Sequence, residues 1–81
     1  MPPRWTVVIE IDPDLASALR QAAVRAIGTL AEAREVDIQE RSPAMLTAFT
    51  SDRAAADRLA ESARQIDAVT AAYVKPPDVL P

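Results

Sequence analysis

The regular structure of this chain has to close at about Val74. The short apolar run Ala71-Ala72-Tyr73-Val74 leads straight into Lys75-Pro76-Pro77-Asp78-Val79-Leu80-Pro81. Proline fixes φ and has no N–H to donate, so neither a helix nor a central strand continues through this stretch. The expectation is a folded unit over residues 1–74 and an extended, polyproline-like tail over residues 75–81, roughly 20 Å long. A small unit ending in a stiffened peptide has something to insert elsewhere, which makes binding the first functional class to weigh.

Upstream, the periodicity switches cleanly between two and 3.6. Arg4 to Ile11 alternates, with Trp5, Val7, Ile9 and Ile11 on one side and Thr6, Val8 and Glu10 on the other, a half-buried strand. Asp12-Pro13 reads as a helix start, with Asp as the cap and Pro at the first helical position. Leu15, Leu19, Ala22, Ala26 and Leu30 follow at spacings of three and four and predict a core-facing stripe, the helix ending near Ala31–Arg34. Glu35 to Arg41 alternates again as a more polar edge strand, Ser42-Pro43 turns, and Ala44 to Thr50 is a third strand. Ser51 and Asp52 cap a second helix carrying Ala55, Leu59, Ala63 and Ile66, and Ala68 to Val74 is the fourth strand.

Strand, helix, strand, strand, helix, strand, joined by right-handed crossovers, predicts an α+β ferredoxin-like plait (βαββαβ). That is a four-stranded antiparallel sheet with two helices on one face, in strand order fourth, first, third, second.

Composition then removes whole classes of chemistry. The 81 residues contain no histidine and no cysteine, so the usual general base, the commonest metal ligand and the best nucleophile are all missing. Gly28 is the single glycine, and one glycine cannot build a phosphate-cradling loop. Ser17, Ser42, Ser51 and Ser62 have no histidine to activate them, and no two carboxylates show catalytic spacing on one element. The chain is therefore expected to be no enzyme and to hold no cofactor or metal. The net charge of −3 works against nucleic acid as a partner. No run approaches the roughly 18–20 apolar residues of a membrane span, and the N-terminus has no hydrophobic region of signal-peptide type. A soluble protein is expected, with no membrane partner and its compartment left open.

Two helices on one face leave the other face of the sheet bare. If Trp5, Val7 and Ile9 turn toward the helices, Val8 turns outward. Leu46, Ala48, Ala72 and Val74 are expected to join it in one apolar patch, rimmed by Arg4, Glu10, Asp37, Gln39 and Arg41. An apolar centre with a polar rim is how protein–protein interfaces are built. The facing of the third strand has an alternative, in which Met45, Thr47 and Phe49 point outward.

The closing strand Val69-Thr70-Ala71-Ala72-Tyr73-Val74, followed by a short extended tail, resembles the propeptides of subtilisin-like serine proteases. Their last strand typically reads Val-x-x-Ala-Tyr-Val before a tail that enters the enzyme. The small-residue strand Ala44 to Phe49, the cap Ser51-Asp52 and the Ala-rich helix with Leu59 are similar too, while Lys75 stands where the family often has an acid. The resemblance implies a protease inhibitor and intramolecular chaperone, acting on a subtilisin-like serine protease in cis or in trans. It implies docking of the bare sheet face, here Val8, Leu46, Ala48, Ala72 and Val74, on two surface helices of the enzyme. It also implies a tail, Lys75, Pro76, Pro77, Asp78, Val79, Leu80 and Pro81, lying in the substrate cleft. Asp37 and Glu40 are the acids it suggests for capping the enzyme's helix N-termini.

Two other readings use the same fold. A regulatory plait pairing its sheets would make the apolar patch a homodimer contact, or would bind a small ligand. An RNA-recognition plait would stack bases on aromatics of the first and third strands, but Trp5 and Phe49 are expected on the core side.

Overall fold

The computed structural model describes residues 4–77. Its central strand, β1 (Trp5–Ile11), is rich in β-branched residues and hydrogen-bonded on both sides. β3 (Met45–Thr50) and β4 (Val69–Lys75) flank it, both antiparallel, and β2 (Asp37–Ser42) pairs with the outer side of β3. The sheet order is β2-β3-β1-β4, as the element order predicts. Helix α1 (Ser17–Ala33) links β1 to β2, and α2 (Arg53–Arg64) links β3 to β4. One core joins Val7, Ile9, Leu46 and Ala72 of the sheet to Ile27 of α1 and Leu59 of α2. Both helices therefore cover the same face, and the fold is a ferredoxin-like plait.

Helix α2 follows its sequence signals. Asp52 is the N-cap, its side chain accepting the Ala54 N–H at 2.9 Å. Ala56, Leu59, Ala60 and Ala63 turn inward, and the three alanines let the helix backbone lie close on the sheet. Helix α1 departs from its signals in two ways. It begins at Ser17 rather than at Pro13, because Asp12 makes a tight turn: its side chain accepts the Asp14 N–H at 2.9 Å and its carbonyl accepts the Leu15 N–H. Its buried stripe is Ala23, Ile27 and Ala31, one residue round from the predicted one. Ile27 is the largest side chain the core accepts from α1, and it dictates the facing. Leu19, Ala22 and Ala26 consequently lie exposed.

Both sheet edges are protected. The β2 edge is lined with polar and charged residues, Asp37, Gln39, Glu40 and Arg41. At the β4 edge, Arg64 from the last turn of α2 donates its Nε–H to the Ala72 carbonyl at 2.9 Å, occupying an acceptor that a foreign strand would otherwise use.

Candidate functional site: the uncovered sheet face and the chain end

Residues directly opposite one another on neighbouring strands share a face, so the register assigns every side chain. Val7 lies opposite Ala48 and Val74, and Ile9 lies opposite Leu46 and Ala72. All of these turn toward the helices, where Leu46 is 2% exposed and Ala48 is fully buried. This corrects the expected docking face: of Val8, Leu46, Ala48, Ala72 and Val74, only Val8 points to the uncovered side. The cause is a one-residue error of facing in β3 and β4, which moves a whole strand's side chains across the sheet.

The uncovered face is a grid of three rows. Asp37, Phe49, Thr6 and Lys75 form the first, Gln39, Thr47, Val8 and Tyr73 the second, and Met45, Glu10 and Ala71 the third. Across it lies Arg41, whose Nε–H donates to Thr47 Oγ1 at 3.0 Å and whose guanidinium carbon sits 5.7 Å from the Phe49 ring centre. The Arg4 guanidinium carbon is 5.9 Å from the same ring, within cation–π range. Arg41 on Thr47 and Tyr73 beside Val8 help screen these two residues, which are only 8% and 6% exposed although no helix lies above them. Tyr73 stands out at 44% exposure. Among the described residues, neither Arg4, Arg41 nor Lys75 has a carboxylate within ion-pair distance.

The two acids separate. Asp37 lies exposed on the uncovered face beside Phe49. Glu40 lies opposite Leu46, on the helix side, and its Oε1 is 3.4 Å from Arg20 of α1, so it is committed within the molecule and is corrected out of the sheet face. Phe49 is likewise corrected from the core side to the uncovered side. Trp5 stays on the helix side, with the Arg53 guanidinium carbon 5.3 Å from its ring. Met45, Thr47 and Phe49 point outward, which is the alternative facing of the third strand, and Tyr73 is a face residue that neither facing included. Tyr73 carried a readable signal, since its hydroxyl favours a position near water.

The strand runs one residue past Val74. Lys75 is the last paired residue of β4, opposite Thr6, and Pro76 and Pro77 leave the sheet from there. Asp78, Val79, Leu80 and Pro81 of the expected tail lie outside the described residues. Among the described residues no group of three or more His, Cys, Asp or Glu is placed to hold a metal, and no helix is long and apolar enough to cross a membrane.

No family model matches the chain, and none of the curated proteins matches its sequence. The structure is similar to that of a REP-associated tyrosine transposase bound to a REP hairpin, with a TM-score of 0.49 at 9% identity. The match covers 98% of this chain and 58% of the transposase chain. At that distance nothing of the transposase's activity transfers to this protein.

Proposed function

We propose that this domain binds and inhibits a subtilisin-like serine protease, and assists the folding of that enzyme when the two are linked. One observation carries the reading: the uncovered face runs directly into the proline-stiffened segment that begins at Pro76. Lys75 belongs to the first row of the face and is also the residue from which Pro76 and Pro77 depart. A partner seated on Met45, Phe49 and Tyr73 would therefore meet the segment that leaves at Pro76 in a direction set by β4. An extended peptide adds to a protease cleft as a strand, through backbone hydrogen bonds, and its prolines leave less conformational freedom to lose. Of the two acids on this face, Glu10 and Asp37, Asp37 is the one the resemblance assigns to a helix N-terminus of the partner, where the dipole favours negative charge.

The test is inhibition of a panel of subtilisin-like proteases by the full chain, by a version ending at Val74, and by Tyr73→Ala. Truncation is expected to weaken inhibition about 10- to 100-fold and Tyr73→Ala about tenfold, the latter being roughly 1.4 kcal/mol. No inhibition of any enzyme at micromolar concentration would overturn the proposal. A dimer persisting at low concentration would instead support the sheet-pairing alternative.

A second reading has a specific observation behind it. Phe49 and Tyr73 on an uncovered sheet, with Arg4, Arg41 and Lys75 nearby, offer stacking surfaces and cations to single-stranded nucleic acid. Against it stand the acids Glu10 and Asp37 on the same face, the guanidinium groups already over Phe49, and the net charge of −3. Anisotropy of a labelled 12-nucleotide strand, titrated at low and high salt, separates the two: binding that falls steeply with salt would favour nucleic acid.

A further inference from the structure

Helix α1 carries more apolar side chains than the core accepts. Ala23, Ile27 and Ala31 are buried, yet Leu19, Ala22 and Ala26 form a second, exposed stripe at spacings of three and four, which the half-buried Leu15 extends from the loop before the helix. Leu19 is 59% exposed, the most exposed large apolar side chain among the described residues. This second stripe faces Ile66 and Ala68 in the connection from α2 to β4, and together they line an open cleft of about 360 Å³. That volume falls at the lower end of ligand-binding clefts, roughly 300–1,000 Å³. Two acidic residues, Asp12 and Asp67, also line it. The Asp12 side chain accepts the Asp14 N–H, but among the described residues neither carboxylate has a basic partner within ion-pair distance.

We propose that this cleft docks an amphipathic basic helical segment of a protein partner. An aliphatic or aromatic side chain would fill the cleft, and lysines or arginines flanking it would meet Asp12 and Asp67. Apolar anchors at i and i+4 laid in a groove are the recurring form of such contacts. The charges decide against a second copy of this chain as occupant. The charged residues lining the cleft are both acidic, so pairing it with the cleft of a second copy supplies no cation to Asp12 and Asp67. The cleft lies on the helix side of the sheet, so it stays free when the uncovered sheet face is engaged, and the inference does not depend on the protease reading.

The experiment uses the full chain, 15N-labelled, and two 16-residue helical peptides. One has leucines at i and i+4 flanked by lysines; the other has glutamates in place of the lysines. The lysine peptide is expected to shift the amide signals of Leu19, Ala22, Ala26 and Ala68, and the glutamate peptide is expected to leave them in place. Asp12→Asn with Asp67→Asn keeps the turn-forming acceptor at residue 12 and is expected to weaken lysine-peptide binding about tenfold. Leu19→Glu is expected to abolish it while leaving protease inhibition unchanged. Equal binding of both peptides, shifts confined to the sheet face, no shifts at all, or unchanged affinity in the double asparagine variant would each overturn the proposal. So would a concentration-dependent dimer that Leu19→Glu dissociates.

Discussion

Glu35 is the one non-glycine residue among those described with a positive φ, 53°, and its position explains why. It follows the C-cap of α1, where Val36 N–H bonds the Ala31 carbonyl at 2.9 Å and Glu35 N–H bonds the Glu32 carbonyl at 3.1 Å. That is the Schellman arrangement, whose left-handed residue is usually glycine because a Cβ there is strained. Val36 and Ala31 are both buried and supply the apolar contact that goes with it. Glu35→Gly is therefore expected to stabilise the fold by about 0.5 kcal/mol, the relief of strain exceeding the added freedom of the unfolded chain. A urea titration checks this: the midpoint should rise with no change of slope. Asp52→Ala, which removes the cap of α2, is expected to cost about 1 kcal/mol in the same titration.

The elements show which sequence signals survive into structure. β1 was legible because Thr6 and Glu10 break its apolar run and fix the alternation between them. β3 was not, because Met-Leu-Thr-Ala-Phe-Thr is buried or half-buried throughout, and alternation cannot assign a face where both faces are screened from water. The order of elements, the turn at Pro43 and the cap at Asp52 rest on local chemistry and were readable; the facing of β3 and β4 depends on which side chains the helices leave room for, and was not. Helix α1 misled in the same way, since its two apolar stripes lie side by side and only Ile27 shows which one the core takes. Leu19, Ala22 and Ala26 repeat at helical spacing as a core stripe does, so periodicity alone points them inward although they lie exposed. Gly28 lies within α1, and a Cβ added there would meet nothing within 4 Å. Gly28→Ala is accordingly expected to stabilise by about 0.5–1 kcal/mol through helix propensity alone, seen as a higher thermal midpoint with unchanged peptide and protease binding.

For the whole molecule, alanine determines both packing and stability. Six of the thirteen residues in the core cluster are alanine, so close backbone approach substitutes for large buried side chains. A domain of 81 residues holds roughly 4–12 kcal/mol of stability by the usual per-residue range, and a core this lean belongs toward the lower end. Leu59, fully buried, is the one large side chain α2 places in that core. Leu59→Ala is expected to cost about 2–5 kcal/mol, enough to unfold much of the population. If the protease reading holds, an enzyme that binds only the folded form should restore the structure by mass action, by about 2.7 kcal/mol at a free concentration a hundred times the Kd. Far-UV circular dichroism of Leu59→Ala, alone and with a protease lacking its nucleophile, measures this directly after subtraction of the protease spectrum. Recovered helix and strand signal in the mixture is the expected result. A variant that stays fully folded alone would contradict the lean-core argument, and one that no tested protease refolds would count against the partner.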